Sequence, residues 1–246
     1  MAWICEIVVS GAAEAPPGLT KGISETMVAR LPDADGLQSV DLFEPTDERG
    51  RDPFNHDTDA PLLIALLDFE SEDALRRAMS SAPLAEVVQS IPQGLAITVT
   101  ALERAAYPVD DDPEGPDREA PISYVVRYHR PADDEDLFRR NYVASHPPTQ
   151  AKLPGIRSVM CYFPRPDLNP SQWPSLDYLI GNEVAFDTVA DFNVAMESPV
   201  RQDLRAHYRD FPSFSGANTH FLMRRTRIAR RSASVRDRDR SAPREL

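Results

Sequence analysis

The sequence has no apolar run long enough to cross a bilayer, only two cysteines, and fewer basic than acidic residues, 27 against 39. The first absence argues against a membrane-spanning helix, which needs about 20 consecutive apolar residues. Two cysteines in 246 residues do not make a disulfide framework. Cys5 and Cys161 both fall within strand-like runs, so buried free thiols are expected. A net charge of −12 repels a phosphate backbone, so no nucleic-acid partner is expected. The opening MAWICEIVVS lacks the basic n-region of a signal peptide, and a cytoplasmic setting is expected. No glycine-rich phosphate loop, nucleophile elbow or paired-cysteine metal pattern occurs, which argues against nucleotide-dependent and serine-hydrolase chemistry. The polar stretch Asn55-His56-Asp57-Thr58-Asp59 lacks zinc or EF-hand spacing, so no metal site is expected.

What is present reads as alternating short elements. Ala2 to Val9 is rich in β-branched residues and predicts a strand. Leu19, Ile23, Met27 and Leu31 recur at helical spacing. Strands follow over Gly36–Glu44 and Leu62–Phe69, with a long polar loop between them from Pro45 to Pro61. Ser71, followed by Glu72 and Asp73, predicts a capped helix to about Ser80. A shorter helical piece at Leu84–Gln89 and a strand at Leu95–Leu102 complete the pattern β-α-β-β-α-β.

The acidic, proline-punctuated YPVDDDPEGPDREAP, Tyr107 to Pro121, reads as a linker. The same order then returns: strand Ser123–Tyr128, helix Asp133–His146, strand Ile156–Phe163, a proline-rich loop through Trp173, strand Tyr178–Phe186, helix Thr188–Met196 with a second piece at Val200–Tyr208, and strand Thr219–Ile228. From Arg224 onward there are nine arginines and three acids, and the tail from 231 to 246 reads as disordered. The expected organisation is a first half at 1–106, a linker at 107–121, a second half at 122–230 and the tail.

The halves share more than order. FESEDALRRAMSSAP from Phe69 and FDTVADFNVAMESPV from Phe186 carry Phe, Ala and Met at the same internal spacing, and ETMVARLP matches PPTQAKLP. This pattern reads as an internal duplication. Aligned on Leu31-Pro32 and Leu153-Pro154, Ser24 lies where the second half has His146. One working pocket and one structural half are expected.

The stretch FRRNYVASHPPTQAKLPG, Phe138 to Gly155, is the most informative. Phe138, Tyr142 and His146 recur every four residues and line one helix face. A residue before proline disfavours helical dihedrals, so the helix is expected to stop at or before His146. Tyr128-His129-Arg130-Pro131, then Phe138-Arg139-Arg140, Tyr142, His146, Pro148 and Leu153-Pro154-Gly155 together resemble the EthD-like family of the dimeric α/β-barrel superfamily. Asn141 and the doubled Pro147-Pro148 depart from the family pattern. The resemblance implies an α+β fold in which two tandem ferredoxin-like β-α-β-β-α-β units pack sheet to sheet as an intrachain dimeric α/β barrel, as a monomer or pairing again into a homodimer. It also implies a pocket between helices and sheet.

Candidate catalytic residues are therefore His146, as general acid or base, and Tyr142, as hydrogen-bond donor to a substrate oxygen. Tyr128, His129, Asn141, Trp173, Tyr178 and His207 are candidates for substrate binding, with the Trp173 loop read as a lid. The expected function is a cofactor-independent lyase or isomerase, of dehydratase, cyclase or decarboxylase type, acting on a small aromatic, phenolic or polyketide-like molecule. Two other readings stay open: a haem-binding barrel, and a non-catalytic binding or accessory protein.

Overall fold

A computed structural model describes residues 1–11, 17–31, 34–55, 59–109 and 120–230. His56–Thr58, most of the acidic linker and the arginine-rich tail lie outside the described residues. The first half runs β1 (Ala2–Ser10), α1 (Leu19–Arg30), β2 (Leu37–Pro45), β3 (Leu63–Phe69), α2 (Glu72–Met79), α3 (Ala82–Gln89) and β4 (Ala96–Tyr107). The second runs β5 (Ile122–His129), α4 (Glu135–Gln150), β6 (Ile156–Pro164), a 3-10 turn at Pro166–Leu168, β7 (Tyr178–Phe186), α5 (Val189–Glu197), α6 (Pro199–Arg209) and β8 (Asn218–Arg230). No helix among the described residues is long and apolar enough to cross a membrane.

The strands form one closed antiparallel barrel in the order β1-β3-β2-β8-β5-β7-β6-β4. The first half contributes β4-β1-β3-β2 and the second repeats that order as β8-β5-β7-β6. Two seams join them: β2 on β8, and β4 on β6. The seams explain why β4 outruns the predicted Leu95–Leu102. Its final residues, Glu103 to Tyr107, pair with Phe163 to Val159 of the other half, a tertiary demand absent from the local apolar pattern.

The strands read as near-continuous apolar runs because both faces are covered. In β1, Cys5, Ile7 and Val9 pack under α1–α3, while Ile4 and Val8 point into the barrel beside Phe43, Ile64 and Tyr162. Both cysteines are buried and free. The barrel interior is packed with side chains and also holds charge. Glu6 is ion-paired with Arg127, Tyr162 donates to Glu183 at 2.5 Å, and Ser123 donates to the same carboxylate at 2.7 Å.

Helix α4 does not stop at His146. It continues through Pro147 and Pro148 to Gln150, although neither proline can donate to the ladder. Local rules lose to packing here. The Gln150 and Asn182 side-chain amides bond each other at 2.7 and 2.9 Å, and Ala151 N–H donates to Pro147 O at 3.0 Å. The chain then reverses through Leu153-Pro154-Gly155. Gly155 sits at φ 74°, the left-handed region that glycine enters without steric cost.

Candidate active site

The extra turn puts Tyr142, His146 and Gln150 on one face of α4, each a turn apart and each buried. Opposite them on the sheet are Tyr124, Val126 and Tyr128 of β5 and Asn182 of β7, with Arg201, Leu204, Arg205 and Tyr208 of α6 closing the side. These groups line a small, partly open cavity. A wider and more open cleft shares Asn55, Tyr124 and His220 with it.

Two polar atoms of these lining residues have no partner. His146 Nδ1 and Tyr142 Oη are both buried and make no hydrogen bond, and their rings lie 4.8 Å apart. Buried polar atoms are nearly always satisfied, so two orphans on one helix face are unusual. Burial, reinforced by His207, Arg201 and His220, pushes His146 down to about 3. The imidazole is therefore neutral. Burial foremost, then Tyr128 nearby, holds the Tyr142 phenol well above its ordinary value, so it keeps its proton. Phe211, 5.4 Å from each ring, packs against both.

Asp52 and Asn55 come from the other half of the chain, on the β2–β3 loop. Asp52 accepts from Arg201 Nη2 at 2.9 Å, from Tyr124 Oη at 2.7 Å and from Asn55 Nδ2 at 3.1 Å. Burial pushes its carboxyl up, but Arg201, the Phe54 N–H and Tyr124 outweigh this and hold it below the usual carboxylate range. Arg51 N–H donates to Asn193 Oδ1 at 2.7 Å, pinning the loop further. Among the described residues Arg205 has no such carboxylate. It lies against the rings of Phe54 and Tyr208, at 5.3 and 4.9 Å, and its Nε is buried without a partner.

The structure brings Tyr142, His146 and Tyr128 together at the cavity and sets His207 beside it, 6.4 Å from the His146 ring. The other expected binding residues lie elsewhere. Asn141 is exposed on the outer face of α4, one residue from Tyr142 and hence about 100° away. His129 and Tyr178 lie against each other, rings 5.1 Å apart. They fall on the barrel-interior side of the sheet, since strand alternation separates His129 from Tyr128 and Tyr178 joins the interior cluster.

Trp173 is not a lid over His146. Its loop crosses to the first half, where Trp173 packs on that core, Asn169 Oδ1 accepts from Ala101 N–H at 2.8 Å and Gln172 donates to Met79 O at 3.3 Å. Each long loop covers the opposite half, so the cover of the His146 cavity is the loop carrying Asp52 and Asn55.

Sequence reasoning missed Gln150, Asn182, Asp52, Asn55, Arg201 and Arg205. Three had readable signals. Asn182 interrupts the apolar run YLIGNEVAF, and Arg201, Leu204, Arg205 and Tyr208 fall on one helix face by spacing.

No protein-family model matches the chain, and no curated protein sequence matches it. Solved structures do. An anthrone oxidase-like protein aligns with TM-score 0.59 and 12% identity over 95% of this chain and 97% of its own. A candidate monooxygenase from Lactobacillus acidophilus aligns with TM-score 0.54 and 11% identity over 93% and 95%. A candidate monooxygenase from Fusobacterium nucleatum aligns with TM-score 0.54 and 13% identity over 91% and 92%. At these identities the likeness concerns the fold: an α+β chain with a closed eight-stranded antiparallel barrel and six helices, similar to dimeric α/β-barrel folds.

Proposed function

We propose that the cavity is an active site in which His146 takes a proton from a small aromatic or phenolic substrate while Tyr142 donates a hydrogen bond to the oxygen that gains charge. The observation that carries this reading is the pair of orphan atoms, Nδ1 and Oη, buried on two neighbouring residues that line one cavity. A neutral imidazole is available as a base at neutral pH. The positive charge it acquires is offset by the negative charge formed on the substrate in the same step. Tyr128, edge-on to Tyr142 at 5.4 Å, supplies an aromatic wall.

The outcome we favour is a lyase or isomerase reaction, with the proton returned elsewhere on the substrate or a leaving group expelled. The names of two neighbours, an anthrone oxidase-like protein and a monooxygenase, favour a second reading, in which the deprotonated substrate is oxidised by dioxygen. Both begin with the same proton transfer.

We also read the chain as a tandem duplication of a ferredoxin-like unit whose second copy is EthD-like. The repeated strand order and the shared Phe, Ala and Met spacing support this. On this reading the barrel is complete within one chain, and its partner is a small molecule.

Haem ligation by His146 does not fit these residues. An axial histidine usually donates its second ring N–H to an acceptor that orients it, whereas His146 Nδ1 has none and its ring is walled by Tyr142 and Phe211. A pure carrier would favour a histidine tied to backbone in an apolar pocket, and this lining is substantially polar.

Anthrone, whose methylene hydrogens are acidic, tests the proton step whatever follows it. In D2O under nitrogen, the wild type is expected to accelerate loss of the methylene proton signal. His146→Ala should lose about 10²–10⁴-fold of that acceleration. Exchange at the wild-type rate in the variant would remove His146 from the mechanism.

A further inference from the structure

The chain carries a net charge of −12, yet among the described residues none of the side chains lining the cavity is an Asp or Glu. The lining includes His146, His220, Arg201 and Arg205 instead. Arg201 is answered by Asp52 from the loop above, through contacts of 2.9 Å to each carboxylate oxygen. Among the described residues, Arg205, one helical turn on, has only the faces of Phe54 and Tyr208 against it, and its Nε is buried and unpartnered.

A guanidinium carries five donors in a fixed fork that matches a carboxylate. Leaving one of those donors buried and unpaired is costly unless a ligand completes it. In a strongly acidic protein, a cavity whose described lining carries arginine and histidine and no carboxylate, with one of its arginines unpaired among the described residues, is electrostatically prepared for negative charge.

The geometry points to an anionic aromatic ligand, with a carboxylate or an enolate-type oxygen held by Arg205. This extends the proposed function by naming a substrate class. It rests on reading the cavity as a ligand site and does not need His146 to move a proton. An anion bound there also offsets Arg201, His207 and His220, the cationic or titratable groups that bear on His146, and so eases protonation of the imidazole. Arg205 acts in it as a specificity-determining residue.

The test compares 2-naphthoate with 2-naphthamide, an ionised acid and a neutral isostere, by titration calorimetry on the full chain at low salt. The acid is expected to bind about ten- to hundredfold more tightly, the range of a charge-assisted hydrogen bond. Arg205→Gln should abolish that preference, and Arg205→Lys should keep part of it, since a point charge remains without the fork. Arg209→Gln, at an exposed position on the same helix, should change nothing. Equal affinities, no detectable binding of the acid, or a preference that survives Arg205→Gln would each overturn the assignment. The two proposals separate cleanly. If His146→Ala leaves anthrone exchange unchanged while Arg205→Gln still erases the naphthoate preference, the role of His146 falls and the anion site stands. The reverse pattern sinks only the anion site.

Discussion

Gln150 and Asn182 exchange two amide hydrogen bonds, at 2.7 and 2.9 Å, between the last turn of α4 and strand β7. Asn182 also donates to Met160 O at 3.0 Å. Both side chains are buried, so removing one leaves the other unsatisfied. Gln150→Ala and Asn182→Ala should each cost about 1–3 kcal/mol. The double variant should cost clearly less than their sum, as read from urea denaturation. Additive costs would mean that the pair does not hold the helix end across the prolines.

Tyr142→Phe removes a hydroxyl that has no partner. Its loss should leave stability unchanged or raise it by up to about 1 kcal/mol, because an unpaired buried polar group is unfavourable. Anthrone exchange should fall in the same variant. A stability loss above about 1 kcal/mol in thermal or chemical denaturation would show that the hydroxyl is bonded in the folded chain.

His146 makes stability depend on pH with a definite sign. Its folded value is pushed from 6.5 down to about 3 by burial. Below pH 6.5 the unfolded chain gains a proton that the folded chain refuses. Stability should therefore fall as pH drops, by about 1.4 kcal/mol per pH unit from this group, until its folded value is reached. Comparing wild type with His146→Gln at pH 7 and pH 5 isolates the effect: the variant should show a shallower decline. For the same reason, the acid limb of anthrone exchange should lie well below pH 6.5.

The barrel interior offers a test independent of the cavity. Glu6 and Arg127 are ion-paired and almost wholly buried, with side-chain exposures of 0% and 5%. Glu6→Gln leaves the guanidinium buried without its counter-charge and should cost about 3–5 kcal/mol. Replacing both by leucine should cost less than that, since no uncompensated charge remains. Melting temperatures of the two variants decide the matter.

The elements legible in the sequence were those whose signals are local. Ser71 caps α2 by accepting from Ala74 N–H at 3.2 Å, as its position before Glu72 and Asp73 implies. Tyr142 and His146 share a face because helical spacing requires it. The errors have one physical cause, contacts made far away in the chain. Pro147 and Pro148 forecast a helix end that Asn182, across the fold, prevents. The composition of the Trp173 loop suggests a cover for the nearest histidine, yet its docking partners Met79 and Ala101 belong to the other half. Asp52 looks like an ordinary loop acid until Arg201 and Tyr124 are placed against it.

The reciprocal crossing of the two long loops has an evolutionary corollary. In an assembly of two identical chains, every substitution in such a loop appears twice, and a change that improves one roof is imposed on the other. Here the two are encoded separately. The segment bearing Asp52 carries charge over the His146 cavity, while the segment bearing Trp173 packs an aromatic ring on the core of the first half. A barrel closed within one chain is free of that symmetry constraint, and its two roofs differ in composition and in what they touch.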